Sequence, residues 1–288
     1  MKLLLLGKDG QVGWELQRSL APLGEVVALD FDSQEMCGDF SNLAGLAETV
    51  RQVRPNVIVN AAAHTAVDKA EAEPELVHAI NAAAVGVLAR EVAARDAWLV
   101  HYSTDYVFDG SGSTPWIEDS PTGPLSVYGK TKLEGEDAIR ASGAKHLIFR
   151  TSWVYAARGG NFAKTMLRLA AERDTLEVVT DQVGQPTWTV DLAQQIVRML
   201  DADAPAGVYH GTSSGSASWY DFARAIFAER GLDPERIRPT SSSSYPRPAP
   251  RPAYSVLGHG AWAAHGLPGL RPWREALAEA AATGALDA

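Results

Sequence analysis

The regular alternation of short apolar runs with longer amphipathic segments constrains the fold of this chain more than any other feature. We expect strands at residues 2–6, 25–29, 56–60, 98–103 and 146–150. Helical patterns lie between them near residues 12–21, 43–53, 74–94 and 128–141. Several strands are continuously apolar, which is typical of a parallel sheet covered by helices on both faces. The first half of the sequence therefore predicts an α/β fold built on a doubly wound parallel sheet.

The alternation weakens after about Thr151. We expect helices near residues 161–172 and 190–200, strands near 176–179 and 208–210, and a helix to about Arg230 that Ser218 and Asp221 open as a capping box. A Ser/Pro-rich stretch over residues 241–252 reads as an extended loop. We therefore predict one domain over residues 1–155, to which a later segment near 181–200 returns. A second, smaller α/β domain takes up most of residues 156–288.

Composition and charge exclude several classes of protein. Hydrophobic residues make up 46% and charged residues 21%, as in an ordinary globular protein rather than a disordered one. Asp and Glu number 35 against 26 Lys and Arg, and this excess opposes a general grip on nucleic acid. The single cysteine, Cys37, fits a reducing compartment. The N-terminal apolar run is short, and we expect no other stretch to be long enough to cross a bilayer. We therefore expect a cytoplasmic protein with no nucleic-acid or membrane partner.

A glycine-rich loop follows the first strand. Gly7, Gly10 and Gly13 are spaced G-x-x-G-x-x-G and lead into a helical pattern, although the usual dinucleotide fingerprint is G-x-G-x-x-G. Asp30 ends the second strand about twenty residues later, where a carboxylate can bind ribose hydroxyls. The first domain is therefore predicted to be a Rossmann-type dinucleotide-binding domain. Asp30 favours NADH and Lys8 could tolerate NADPH, so the choice between the two is left open.

A possible catalytic set lies further along the chain. The strand at residues 98–103 leads into Thr104, at the carboxyl end where open α/β sheets bind ligands. Tyr128 and Lys132 stand at i and i+4 of a predicted helix and so share one face. A phenol is a poor proton donor or acceptor at neutral pH unless a neighbouring cation favours its anion. We therefore predict Tyr128, Lys132 and Thr104 as catalytic residues, with Thr104 bonded to the substrate oxygen.

Taken together, these motifs resemble the extended branch of the short-chain dehydrogenase/reductase superfamily, and within it the dTDP-4-dehydrorhamnose reductase family. The resemblance covers nearly the whole chain. It rests on residues 7–16, 59–68, 103–108, 128–132, 149–155, 161–162, 181–187 and 219–221.

This resemblance implies NADH- or NADPH-dependent reduction of the 4-keto group of dTDP-4-dehydro-β-L-rhamnose to dTDP-L-rhamnose, a precursor of cell-surface polysaccharide. Tyr128 would donate the proton, Lys132 would orient the nicotinamide ribose and lower the pKa of Tyr128, and Thr104 would fix the carbonyl. The second domain would then bind the nucleotide sugar. The implied cofactor contacts are Gly10, Gln11, Val12, Asp30, Asp39, Phe40, Ala63, His64, Thr65, Tyr128 and Lys132, which join Gly7 and Gly13; the implied sugar contacts are Thr104, Asp105, Tyr128 and Trp153.

Three further expectations concern the diphosphate, a metal and the assembly. Arg251 in the Pro-rich loop could clamp the substrate diphosphate by charge-assisted hydrogen bonds. The resemblance also implies magnesium, for which Glu15 is a candidate ligand and Asp191 a second. A homodimer is compatible with the resemblance, and the sequence leaves the assembly open.

Two alternative functions share this fold. A nucleotide-sugar dehydratase or epimerase would keep the cofactor loop and the Tyr/Lys pair, but dehydratases of this branch follow the Thr with Asp-Glu, whereas Tyr106 follows Asp105 here. A non-catalytic regulatory subunit, of the kind that partners methionine adenosyltransferase, can dispense with Tyr128 or Lys132, and both are present.

Overall fold

A six-stranded, fully parallel sheet forms the centre of the protein, and the computed structural model describes residues 1–287. The strands of all the described residues, inside and outside this sheet, are β1 Lys2–Leu6, β2 Glu25–Leu29, β3 Val57–Asn60, β4 Trp98–Thr104, β5 Lys145–Thr151, β6 Val154–Tyr155, β7 Leu176–Val179, β8 Val183–Gly184, β9 Thr187–Trp188, β10 Gly207–His210, β11 Ala217–Ser218 and β12 Ile237–Thr240. Across the central sheet the order is β2-β1-β3-β4-β5-β10. The predicted doubly wound parallel sheet is confirmed. The strand order reverses between β1 and β3, which is where sheets of this kind bind ligands.

Helices flank the sheet on both sides. The helices of the described residues are α1 Gln11–Leu20, α2 Leu43–Val53, α3 Val67–Ala70, α4 Pro74–His78, α5 Ala84–Ala93, α6 Val127–Ser142, α7 Phe162–Glu172, α8 Thr189–Asp201, α9 Trp219–Glu229, α10 Gly260–Ala264 and α11 Trp273–Ala282. A π-helical turn, Ala79–Ala83, joins α4 to α5, so the single helix predicted over residues 74–94 is interrupted. The predicted capping box at the start of α9 is present, since the side chains of Ser218 and Asp221 each bond to the other's backbone amide.

The apolar run in β1 explains why both faces of the sheet are covered. Leu4 and Leu6 point to one face and pack with residues of α2, α5 and α6. Leu3 and Leu5 point to the other face and pack with residues of α1 and α8. Because all four side chains are fully buried, β1 lies at the centre of two hydrophobic cores rather than at a surface.

Elements from the second half of the chain divide between two cores. Helices α7, α9 and α11 pack with β7 and β12 in a separate hydrophobic cluster. In contrast, α8 packs against α1 and β10 pairs with β5, so both lie with the central sheet. The strand β10 was predicted, but it lies outside the segment that was predicted to return to the first domain, because a local pattern does not show which strand it pairs with. The limits of the two domains stay a prediction.

One stretch is long and apolar enough to cross a membrane, although none was expected from the sequence. Pro74–Ala93 is 20 residues long and apolar enough to cross a bilayer by length and composition, so that expectation was wrong. More than half of this stretch is buried inside the protein. Val85, Leu88 and Val92 pack in the core with α2 and α6, which accounts for its apolar character.

The glycine loop gives a direct test of the fold. A Cβ added at Gly13 would lie 1.9 Å from the carbonyl oxygen of Gly7, so Gly13→Ala should lower the free energy of unfolding by about 1–3 kcal/mol through overpacking. This clash outweighs the gain of about 1 kcal/mol that alanine normally brings to a helix interior. Gly269→Ala is the matched control, because its Cβ would meet open space. Urea denaturation measures both variants, and equal stability of the two would contradict this account of the loop.

Candidate active site

Two adjoining cavities lie at the carboxyl ends of the central strands. The larger, about 530 Å³, is lined by residues from the ends of β4 and β5, the start of α6 and the glycine loop. The smaller, about 300 Å³, is lined by residues that follow β1, β2 and β3. Gly10, Ala61 and Ala63 line both cavities. The two cavities therefore form one elongated groove across the point where the strand order reverses.

The glycine loop lines this groove with backbone atoms that carry no side chain at the glycines. Gly7 has φ +84°, and a Cβ there would lie 2.6 Å from the backbone nitrogen of Ala62. Gly10 is the N-cap of α1 and no side chain caps that helix end. The first amides of α1 therefore face the groove without a side-chain partner, and the helix dipole adds positive potential there. Such an arrangement fits the pyrophosphate of a dinucleotide.

The predicted cofactor residues divide between the two cavities. Gly7, Gly10, Asp30, Asp39, Phe40, Ala63 and His64 line the smaller one, and Gly10, Gln11, Val12, Ala63, Thr65, Tyr128 and Lys132 line the larger one. Gly13 lines neither cavity, and its place is explained by the close packing of α1 on Gly7. The structure thus brings all but one of the predicted residues to a single groove.

Asp30 and Asp39 are held by local hydrogen bonds. The carboxylate of Asp30 accepts from the backbone amides of Asp9, at 2.9 Å, and Phe31, at 2.8 Å. The carboxylate of Asp39 accepts from the amide and hydroxyl of Ser41. These bonds fix both acids at the wall of the smaller cavity before any ligand arrives.

Tyr128, Thr104 and Asp105 meet in the larger cavity. Ser126 caps α6 and so positions Tyr128 in the first turn of that helix. The hydroxyl of Thr104 accepts from the amide of Tyr106 and donates to the carboxylate of Asp105, both at 3.1 Å. Burial raises the pKa of Tyr128 to about 12; the Thr104 hydroxyl opposes this shift and the charge of Asp105 adds to it. Burial also raises the pKa of Asp105 to about 7.

Lys132 lines the same cavity as Tyr128 and forms its hydrogen bonds with groups of β4. Its side-chain nitrogen lies 2.5 Å from the carbonyl oxygen of Tyr102 and 3.2 Å from Nε2 of His101. Burial lowers the pKa of Lys132 to about 8. The expected lowering of the Tyr128 pKa by Lys132 stays a prediction: in this structure the lysine is turned towards β4, and burial is the main influence on the phenol and raises its pKa.

Several polar groups in the larger cavity have no partner. Oδ2 of Asp105, the hydroxyl of Tyr102 and the hydroxyl of Thr151 are buried without a hydrogen bond, and all three residues line this cavity. Buried polar atoms are costly to leave unpaired. The cavity therefore carries hydrogen-bonding capacity that the protein itself does not use, which fits a polar ligand.

Two stacked tryptophans close one end of the larger cavity. The rings of Trp153 and Trp219 lie 3.6 Å apart and 8° from parallel. Trp153 adopts φ +46°, and its ring presses so closely on Gly184 that a Cβ there would lie 2.6 Å away. Trp153 was predicted from the sequence, whereas Trp219 was not. Trp219 is the first residue of α9, directly after the N-cap Ser218, and this position is the signal that could have identified it.

Arg251 lies outside the residues that line either cavity. Its guanidinium forms two hydrogen bonds of 2.9 Å with the carboxylate of Asp68, and Arg247 lies 3.9 Å from the same carboxylate. Asp68 and the carbonyl oxygen of Ala249 accept three of the five hydrogen bonds that the guanidinium can donate, and the clamp on a diphosphate stays a prediction.

The magnesium prediction also lacks support. Glu15 pairs with Arg18 at 2.6 Å, and Asp191 pairs with Arg271. Over residues 1–287 the structure groups no three His, Cys, Asp or Glu side chains as metal ligands. Both candidate carboxylates are thus bonded to guanidinium groups.

Comparison with known proteins agrees with this geometry. The model of a family described as the RmlD substrate binding domain matches residues 1–285. A dTDP-4-dehydrorhamnose reductase from Salmonella typhimurium is 55% identical over 266 residues, which cover 89% of each chain.

Solved structures give the same result. A dTDP-4-dehydrorhamnose reductase from Clostridium acetobutylicum is 42% identical, with a TM-score of 0.91 over 97% of this chain and 98% of that one. A dTDP-4-dehydrorhamnose reductase from Bacillus anthracis, solved in complex with NADP, is 34% identical with a TM-score of 0.91, over 96% of this chain and 97% of that one. The fold, the groove at the carboxyl ends of the strands and the match over almost the whole length lead to one conclusion: the chain belongs to the dTDP-4-dehydrorhamnose reductase family.

Proposed function

We propose that this protein reduces the 4-keto group of dTDP-4-dehydro-β-L-rhamnose to dTDP-L-rhamnose with NADH or NADPH. The observation that carries the proposal is the meeting of Thr104, Tyr128 and Lys132 in a cavity that continues into the groove of the glycine loop. A proton donor and a dinucleotide site on one continuous surface are what carbonyl reduction requires. The membership of the family agrees with this reaction.

The groove would hold the cofactor along its length. The first amides of α1 would bind the pyrophosphate, and Asp30 would bind the adenosine ribose beside Asp39 and Phe40. A bound nicotinamide cofactor supplies the hydride that adds to the carbonyl carbon. Residues 1–155, with α8 and β10, would form this cofactor-binding part, and most of residues 156–288 the sugar-binding part.

Tyr128 would protonate the sugar oxygen. Its raised pKa keeps the phenol protonated at neutral pH, which suits the donor role. Thr104 lines the same cavity, and its hydroxyl, which donates to Asp105 in the ligand-free protein, would turn to donate to the carbonyl oxygen beside the phenol. Asp105 would accept a hydrogen bond from a sugar hydroxyl through its unpaired Oδ2, and Trp153 would pack on the apolar face of the deoxysugar.

The proposal places the protein in the cytoplasm as a soluble enzyme. The single cysteine, Cys37, is unpaired, as is usual in a reducing compartment. Assembly as a homodimer stays a prediction.

We expect the purified protein to oxidise NADH or NADPH in equal amount to the dTDP-4-dehydrorhamnose supplied, and to leave dTDP-glucose unchanged. Elimination from dTDP-glucose needs a second acid beside Asp105, and Tyr106 occupies that position. Absorbance at 340 nm and mass spectrometry of the sugar measure both reactions. A 4-keto-6-deoxy sugar formed from dTDP-glucose without net cofactor consumption would identify a dehydratase instead. An epimerase would be recognised by cofactor that stays bound through gel filtration.

We expect Tyr128→Phe to lower kcat by about 100-fold or more, because the phenyl ring keeps the shape of tyrosine but has no proton to donate. Cofactor affinity should change little. Tyr209→Phe is the matched control: Tyr209 is buried and its hydroxyl bonds to the carbonyl of Pro205, away from both cavities. Steady-state kinetics with saturating cofactor test this, and near-normal turnover of Tyr128→Phe would remove Tyr128 from the mechanism.

We expect Asp30→Ala to raise the KM for NADH more than the KM for NADPH. The change removes hydrogen bonds to the ribose and also removes a charge that would repel a 2′-phosphate. Asp32→Ala, an exposed acid in the same turn, is the matched control. Equal weakening of the two cofactors by Asp30→Ala would show that this carboxylate only holds the amides of Asp9 and Phe31.

A further inference from the structure

A buried histidine with no assigned role contacts the lysine of the proposed site. His101 on β4 is fully buried, with Nε2 3.2 Å from Nζ of Lys132. On its other side Nδ1 lies 3.0 Å from the side-chain nitrogen of Asn60, at the end of β3. The two strands pair so that Asn60 and His101 lie side by side. The sheet register itself therefore connects these three polar side chains.

A backbone amide decides which way the chain of hydrogen bonds runs. The amide of Ala62 donates to Oδ1 of Asn60 at 3.0 Å, and a backbone N–H can only donate. The side-chain NH₂ of Asn60 must then face His101, so Nδ1 of the histidine accepts a hydrogen bond. A neutral imidazole that accepts at Nδ1 carries its proton on Nε2.

The proton on Nε2 determines which charge state of Lys132 can form a hydrogen bond with His101. An ammonium group has only donors, so it would face the Nε2–H of His101 donor to donor. A neutral amine has one lone pair, accepts from Nε2–H and still donates to the carbonyl oxygen of Tyr102. With the amine, each hydrogen bond from Ala62 to Tyr102 runs in one direction and no buried donor is opposed.

We propose that Asn60 and His101 are positioning residues that set the charge of Lys132, and that they favour its neutral amine in the ligand-free protein. The inference rests on the proposed function, because Lys132 matters to the reaction through its place beside Tyr128 and the cofactor groove. It adds two residues that act through Lys132 and touch neither the sugar nor the cofactor.

The charged and buried surroundings of Lys132 leave its amine and ammonium forms close in free energy. Glu136, one turn beyond Lys132 on α6, raises the pKa of the lysine, but its carboxylate is already bonded to Arg150 of β5 and Ser103 of β4. Burial works in the opposite direction and brings the pKa of Lys132 to about 8. His101 cannot share the charge, because burial holds its pKa well below the usual range and Lys132 lowers it further. The amine is thus accessible near neutral pH, and hydrogen bonding can decide the charge.

The tautomer of His101 can be measured without substrate or cofactor. In ¹⁵N-histidine-labelled protein at pH 7.5, we expect the ring of His101 to be neutral with its proton on Nε2. His101→Phe identifies its signals among those of the seven histidines. In Asn60→Asp, one carboxylate oxygen keeps the bond from Ala62 and the other accepts from the ring, so the proton should move to Nδ1. A proton on Nδ1 in the wild-type protein, or a doubly protonated ring, would overturn the proposal.

The pH profile of kcat gives a second test. The ammonium of Lys132 favours the phenolate that Tyr128 leaves, so activity should fall as pH rises through the pKa of Lys132. Asn60→Asp turns Nε2 into an acceptor for the ammonium and should move this loss upwards by about one pH unit or more.

The double variant Asn60→Asp with His101→Phe tests whether the shift in the pH profile passes through the ring of His101 or comes directly from the new carboxylate. Without the ring, the shift should disappear. The same shift without His101 would show that the new carboxylate acts directly on Lys132, and the proposal would fail. The tautomer is measured in the ligand-free protein. The proposal about Lys132 can therefore fail or succeed independently of which sugar the enzyme reduces.

Discussion

The buried ion pair between Glu136 and Arg150 holds the site together, because it fixes the helix that carries Tyr128 and Lys132. Arg150 of β5 donates two hydrogen bonds to the Glu136 carboxylate, and Ser103 of β4 donates a third. The carboxylate is fully buried, and removing one partner from such a pair typically costs about 3–5 kcal/mol. The helix is thereby attached to the two strands whose carboxyl ends form the larger cavity.

This attachment explains how polar side chains can be kept in a dry interior. Lys132 lies one turn before Glu136 and reaches the backbone of β4 with its stem buried. Some of the groups left without partners, Oδ2 of Asp105 and the hydroxyls of Tyr102 and Thr151, belong to residues that line the larger cavity. Because the ion pair holds the frame around them, these cavity groups keep their positions and are available to a ligand.

Most residues that line the candidate site could be predicted because they follow strands or stand in short motifs. Gly7, Asp30 and Thr104 each stand at or just beyond the end of an apolar strand, and such strands are easy to recognise. Trp219 and His101 were not identified as site residues. Trp219 reaches the cavity only because α9 packs beside Trp153, and His101 has the appearance of an ordinary residue in a buried strand. The pairing of Arg251 with Asp68 was not predicted, because the two residues are far apart in the sequence.

The sequence by itself determined the parallel sheet, the glycine loop and the pairing of Tyr128 with Lys132 on one helix face. These depend on local periodicity and on the backbone freedom of glycine, both of which can be read from neighbouring residues. Only the tertiary structure decided that β10 joins the sheet, that Lys132 contacts His101, and that burial raises the pKa of Tyr128. Strand pairing, burial and the direction of a hydrogen bond depend on residues far apart in the chain, so no local pattern contains them.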